Sequence, residues 1–547
     1  MSESSLREFG GLLWQLADLV RAGESRRSFR AKAYRTAVWA LDDLESIDAG
    51  DAELLATPGI GAGITSLINE YRSTGHIDRL DSLQQLFPRE SSRLRRLPRV
   101  TPGMLRGLKD LGVETFSDLG GAIDAGAVAS LKGVGPRTLD LWLRIIELAP
   151  TAESIPAHEA WAAASSLRRH IDKHTAGDVV VAGAVRRVEE WADRLDLVVV
   201  ASNFEEVAVF LETSAALASY AGSEPGPNGC VIHTATTHLG IRTAIRVTSP
   251  PAAGSALVVA TGPPGHLAAL EPIDIHQTEN DVYRAAGLPW IPPAARERPM
   301  QEVERLVRRE DLRGDLHVHS EASPDGRMSL ATILETVWAR GLDYVLITDH
   351  TQGLRFGGLD ADEIAMQAGQ IDSLRAMYPD VKILHGAELN IGRDGDLDLP
   401  DEALALLDFA IAGVHSHFDL ARGEQTQRIA IALQRPVVRV LAHPFGRRIG
   451  IRPGLDVDME AIIEMAIANG VALETNGHRD RLDLPKAWLE VAGGRGAWFA
   501  ANSDAHRPDE LANVDNAVAT LQRAGIGPER VVNALRWEDL VDWITGE

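Results

Sequence analysis

The feature that most constrains this chain is a series of short apolar runs, each delivering a histidine or carboxylate at or just beyond its end. The first is Asp315-Leu-His317-Val-His319-Ser. Tyr344–Asp349-His350, Val381–His385-Gly-Ala-Glu388 and Phe409–His415-Ser-His417 follow it. Val437–His443-Pro, Val471–Glu474-Thr-Asn476 and Ala497–Asp504-Ala-His506 complete the set. In an extended segment side chains alternate, so His317 and His319 point to the same side. Helical stretches such as Met328–Arg340 and Met459–Asn469 separate the runs, which predicts βα units around a parallel sheet. Polar residues at the C-terminal ends of successive strands occupy the rim where a β/α barrel keeps its active site.

Composition narrows the chemistry of that rim. The chain has 547 residues and one cysteine, Cys230. It therefore has no internal disulfide and no sulfur-rich zinc site, and a metal would be held by His, Asp and Glu. No apolar run reaches the length of a membrane span, and the N-terminal residues lack a secretory layout, so a cytoplasmic location is expected. The formal charge is -23, which disfavours polyphosphate partners for the chain as a whole. Residues 1–100 carry 14 basic against 14 acidic side chains and hold the clusters Arg26-Arg27-Ser-Phe-Arg30-Ala-Lys32 and Arg93-Leu-Arg95-Arg96-Leu-Pro-Arg99. Nucleic acid would be met there or nowhere.

Residues 1–85 read as helical, with Leu12, Leu16, Leu19 and Val20, then Ala33, Ala37, Ala40 and Leu41, at helical spacing. Pro58-Gly59-Ile60-Gly61-Ala-Gly63 interrupts them, and Gly133-Val-Gly135-Pro-Arg137 repeats the interruption before Thr138–Leu148; Pro102-Gly103-Met104 begins a weaker unit. A glycine turn opening a helix offers backbone N–H groups to a phosphate oxygen. The two copies resemble helix-hairpin-helix motifs, which implies sequence-independent DNA backbone contact through Gly59, Gly61, Gly63, Gly133, Gly135 and Arg137.

Val179–Arg187 and Leu195–Val200 read as strand, turn, strand. Together with Phe29–Tyr34 and Gly287–Pro293, this order of parts resembles the bacterial family-X DNA polymerases (PolX), in which a polymerase core precedes a PHP domain. The resemblance implies a helical domain at 1–88, helix-hairpin-helix fingers at 89–152, a nucleotidyltransferase-like α+β palm and thumb at 153–300, and a distorted β/α barrel at 305–547. Family polymerases hold two metal ions on three carboxylates. Here the matching positions are Arg194, Asp196 and Ala244, and the G-S-x-R-R turn reads Gly183-Ala184-Val185-Arg186-Arg187. The polymerase site is expected to be dead. Asp193 would face the wrong side of its strand to replace a lost acid. The helix Ile64–Tyr71 also lacks the lysine of the family's lyase activity.

From about residue 305 the match to PHP phosphoesterases implies nine metal ligands: His317, His319, Asp325, His350, Glu388, His415, His443, Asp504 and His506. It implies a trinuclear centre bridged by the glutamate. Imidazole and carboxylate donors without sulfur suit Mn²⁺, Zn²⁺ or Fe²⁺ better than Mg²⁺. Such ions would make a water acidic enough to attack phosphorus. Arg447 and Arg481 are candidates for binding phosphate, with a structural ion pair the equal alternative for each. His385 is expected in the core, His417 at most behind the ligands, Asp349 as an orienting group and Asp483 as an arginine partner. The function expected is a metal-dependent nuclease, most simply a 3′–5′ exonuclease with possible action at 3′-phosphates or abasic sites. The alternatives are a small-molecule phosphomonoesterase of the histidinol-phosphatase kind and a DNA-binding scaffold.

Overall fold

The computed structural model describes residues 4–23, 28–95, 97–151, 153–299, 305–354 and 357–546. Arg26, Arg27 and Arg96 of the basic clusters lie outside them. The chain divides into two compact units, one of residues 1–290 with 450–452 and one of 291–449 with 453–547.

The first unit begins with helices Ser4–Gly23, Phe29–Ala40, Asp51–Ala56, Ala62–Thr74 and Asp78–Gln84. Phe9, Leu13, Leu16, Val38, Leu41 and Ile68 are buried in a shared core, each adding about 1.5–3 kcal/mol of apolar burial. Of the residues expected on this inner face, Ala33 is exposed, because Ala31 and Tyr34 take the inward positions instead. The two glycine turns have the same backbone. Gly59 and Gly133 adopt φ +100° and +90°, where a side chain would be strained. Ile60 and Val134 then turn into the core, and Gly61 and Gly135 cap helices Ala62–Thr74 and Pro136–Leu148 with extended dihedrals. The weaker unit at Pro102 is a helix, Pro102–Asp110, capped by the Thr101 side chain.

A two-residue ladder joins β1 (Ile155–Pro156) to β3 (Trp191–Ala192). Strands β2 (Asp178–Ala182), β4 (Leu195–Val200), β5 (Leu217–Pro225), β6 (Val231–Thr237) and β7 (Arg242–Thr248) form a sheet in the order β2-β4-β7-β6-β5. β4 and β7 are parallel, and the other neighbours are antiparallel.

The second unit alternates strands and helices. β8 (Gly314–Val318), β9 (Tyr344–Ile347) and β10 (Lys382–His385) form one parallel sheet. β11 (Glu388–Asn390), β12 (Ala410–Gly413), β13 (Val438–Leu441), β14 (Ala472–Asn476) and β15 (Phe499–Asn502) form a second, in sequence order. The sheets meet at both margins. Val318 bridges Ala505 and His350 bridges Glu388, both in the parallel sense. These strands are largely buried on both faces, as parallel strands covered on both sides are. Helices Leu330–Ala339 and Met459–Ala468 start at the side-chain caps Ser329 and Asp458. Among the described residues no helix is long and apolar enough to cross a membrane.

Candidate metal centre

Each strand of the second unit ends where a titratable side chain begins. His317 lies on β8 and His319 follows it; His350 comes three residues after β9, and Glu388 opens β11. His415 and His443 stand two residues beyond β12 and β13, and Asp504 and His506 lie two and four beyond β15. Parallel pairing brings these ends to one side of the sheets, so residues up to 189 positions apart in sequence become neighbours.

Glu388 is at their centre. Its Oε1 lies 3.0 Å from His415 Nε2 and 2.8 Å from His443 Nε2. Its Oε2 lies 2.9 Å from His350 Nδ1, 3.4 Å from His317 Nε2 and 3.6 Å from His319 Nε2. Asp504 Oδ1 is 3.5 Å from His317 and 3.4 Å from His319. Asp325 Oδ1 is 3.8 Å from His350 and 3.4 Å from His506. All nine expected ligands are thus linked, and three overlapping triads have donor atoms within 4.8 Å of one another: His317/His319/Asp504, His319/His350/His506 and His350/Glu388/His415.

The donor atoms fit a cation better than they fit one another. His350 Nδ1, His415 Nε2 and His506 Nε2 are buried and make no aligned hydrogen bond, although each has a carboxylate oxygen within 3.4 Å. His317 Nε2 and His319 Nε2 are 3.0 Å apart. Donors about 2.0–2.2 Å from a shared ion, at angles near 90–110°, are separated by about 2.8–3.6 Å. That is the spacing seen here. It is what lone pairs converging on common centres produce, and sulfur has no part in it.

Electrostatics agrees. Burial opposes charge on Glu388, but His415, His350 and His317 outweigh it and hold the carboxyl well below its usual range. Asp504 is held down in the same way by His317, by its bond to His319 and by Arg481. Burial, helped by Arg481, pulls His443 down to about 4, so its imidazole is neutral. Beside Asp325 and Asp504, His506 resists burial and rises to about 9. The rim thus carries ionised carboxylates interleaved with imidazoles, and the acids beside them raise His317, His350 and His506 against the pull of burial.

A supporting layer fixes the ligands. Glu474 on β14 accepts from His317 Nδ1 at 2.6 Å and from the His443 backbone N–H at 2.7 Å. It also accepts from Asn502 and Asn476, and Asn476 reaches Asp504 at 3.0 Å. Asp349 receives Ser320, Ser323 and Gln367, and Ser323 Oγ stands 3.1 Å from His319 Nδ1. Such partners set the tautomer and aim of a ligating imidazole. Gly413 makes room for the group, since a Cβ there would lie 2.9 Å from ring carbons of both His415 and His443. His417, His443, Leu482 and Asp504 adopt positive φ, a strain that persists only where surrounding structure enforces it.

Asp349 is the orienting group expected of it. His385 is buried with Nδ1 on the Leu406 carbonyl, and His417 contributes its carbonyl to Gln425 and Arg428. The two arginines separate. Arg481 Nε lies 3.5 Å from Asp504 Oδ2, at the ligands. Arg447 instead donates to the backbone carbonyls of Arg481 and Leu482, so it braces the Arg481 loop where a phosphate contact was expected. Asp483 receives the Phe445 N–H, and burial raises its carboxyl to about 6 against the pull of Arg447 and Arg481. The roles of Glu474, Asn476 and Asn502 escaped sequence reasoning. Its only trace was the alternation Glu474-Thr-Asn476 at the end of an apolar run.

The acidic position of the first unit is arranged otherwise. Asp196 pairs in register with Ala182 and Ala244. Arg194 Nε sits 3.0 Å from one of its oxygens and Arg246 Nη1 3.0 Å from the other. Asp193 turns away to Ser154, at 2.5 Å.

A PHP-domain family model matches residues 315–441. The chain is 30% identical to the DNA polymerase/3′-5′ exonuclease PolX of Bacillus subtilis, over 94% of each chain. Over 40% of its length it is 30% identical to a probable phosphatase of Syntrophotalea carbinolica, covering 90% of that protein. A probable phosphatase of Edwardsiella ictaluri is 31% identical over 40% of the chain and 89% of its own length. A relationship that spans both units, with the PHP match covering β8 to β13, shows that the chain belongs to the PolX family.

Proposed function

We propose that the protein is a metal-dependent phosphoesterase that removes nucleotides from DNA 3′ ends and has no polymerase activity. The observation that carries this reading is the Glu388 carboxylate, set 2.8–3.6 Å from five imidazoles drawn from four strand ends. The printed name of the Bacillus subtilis relative supports the exonuclease assignment. In this reading the two parallel sheets of the second unit are one distorted β/α barrel, and the nine rim residues hold up to three Mn²⁺, Zn²⁺ or Fe²⁺ ions. Bound there, such ions supply Lewis acidity and an acidified water. The chain's own side chains do the rest. Glu474, Ser323 and Asn476 hold the ligands in orientation, and Arg481, steadied by Arg447, receives a non-bridging phosphate oxygen.

The division into 1–88, 89–152, 153–300 and 305–547 belongs to the same proposal. So does DNA binding by the two glycine turns. Gly61, Gly63 and Gly135 have open space where a Cβ would stand, so a phosphate can approach their backbone N–H groups, with Arg137 beside the second turn. The charge of Asp196 is paired with two arginines, and Arg194 and Ala244 stand where the other carboxylates would, which supports loss of nucleotide transfer.

A 3′-labelled oligodeoxynucleotide incubated with Mn²⁺ tests the proposal. Release of mononucleotides by the wild type, and none by His317→Ala/His319→Ala, is expected. Extension of a primer would refute the polymerase half. A second reading, a small-molecule phosphatase, is favoured by the relatives that match the PHP part alone. Hydrolysis of histidinol phosphate with DNA untouched would select it.

A further inference from the structure

Hydrolysis of a phosphodiester leaves an alkoxide, and a side chain that holds a metal ion through its lone pair cannot also protonate it from that atom. The loop after β14 holds such a group. His478 hydrogen-bonds through Nδ1 to Asp480 Oδ1 at 2.5 Å, and Asp480 is itself buried and held by Arg448 Nε at 2.6 Å. The His478 backbone N–H is pinned to Asn476 Oδ1 at 3.0 Å, and Asn476 also bonds Asp504. The charged groups that act on the imidazole are Asp480, Asp504 and Arg481. It is therefore at the ligand rim without being one of the ligands. Its side chain is 38% exposed, whereas Asp480 keeps only 6%. The carboxylate fixes Nδ1 and favours the protonated ring, which leaves Nε2–H as the open donor.

We propose that His478, aimed by Asp480 and Arg448, is the general acid that protonates the departing 3′-oxygen of the scissile phosphodiester. This deepens the function proposed above and rests on it. Water's oxygen bonds to phosphorus as the P–O3′ bond breaks. The proton shed by the water passes to solvent, the leaving oxygen takes the Nε2 proton, and the neutral ring is reprotonated from solvent. The net change is addition of one water. Proton donation of this kind contributes about 10²–10⁴-fold.

The test compares two leaving groups on the full-length, Mn²⁺-loaded protein. An oligodeoxynucleotide departs as an alkoxide that needs a proton, and thymidine 5′-(p-nitrophenyl phosphate) departs as a phenolate that does not. His478→Gln is expected to lower kcat on DNA about 10²-fold or more at unchanged KM, while the nitrophenyl ester loses less than about fivefold. Asp480→Asn should give a smaller loss with the same bias. On DNA the wild-type rate should fall at alkaline pH, and this limb should vanish in His478→Gln. Metal content equal to wild type shows that the rim survives the substitution. Equal losses on both substrates, or none on DNA, would overturn the assignment. A wild-type protein that cleaves neither ester would overturn the function itself, and that failure is visible before any variant is made.

Discussion

Asp196 and Glu388 are both acids at strand ends, almost fully buried, and their surroundings make opposite uses of them. Asp196 is enclosed by two guanidiniums that answer both of its oxygens. Glu388 is enclosed by five imidazoles; His443 bonds it at 2.8 Å, while His350 and His415, at 2.9 and 3.0 Å, do not align with it as donors. An acid satisfied by permanent cations is a structural ion pair, because arginine cannot give up its proton. An acid among imidazoles is a site, because a neutral ring keeps a lone pair for something else. The partner, more than the carboxylate, decides between fold and chemistry.

The largest expected effect tests the Glu388 side. Glu388→Gln should lower DNA hydrolysis by about 10³-fold or more, on the order of 4 kcal/mol in the barrier, with loss of bound metal by elemental analysis. Asp196→Asn should leave hydrolysis within about twofold, and a comparable loss there would erase the distinction. Next is stability. Asp196→Ala strands the buried Arg246, and should destabilise the first unit by about 3 kcal/mol in urea unfolding without touching metal content. Chelation should act on the other unit. A metal held at about 100 times its Kd stabilises by about 2.7 kcal/mol, so EDTA should lower the melting of the second unit by about 5–10 °C and leave the first in place. If both transitions move together, the two units are not separate in this respect.

The smallest effect is a pH dependence confined to the first unit. Burial and a hydrogen bond to Glu8 push the Tyr71 hydroxyl up to about 12. The folded state therefore keeps this proton after the unfolded chain has released it near pH 10. Stability falls as pH rises through 10–12, and Tyr71→Phe should flatten that fall by up to about 2 kcal/mol in alkaline unfolding curves.

How much was legible follows from the range of each interaction. The clustering of the rim histidines around Glu388 could be read because most of them lie within a few residues of a strand, where alternation and an apolar run announce them. The glycine turns were legible for the same local reason. The Glu474–His317 bond spans 157 residues and the Arg246–Asp196 pair 50, and nothing in either local pattern marks the partner. The bonds of Arg447 to the Arg481 and Leu482 carbonyls were not legible, because an arginine beside a ligand motif looks the same whether it faces solvent or a distant carbonyl. Ala33 failed differently: helical spacing gives a face, but neighbouring Ala31 and Tyr34 compete for it.

Gly413 carries no functional group, yet the crowding of two rings and a carboxylate around its α-carbon leaves no room for a methyl. In a saturation screen scored by DNA degradation it would rank with the histidines. A reader who equated intolerance with chemistry would then count it among the donors, where the molecule has only a gap kept open beside them.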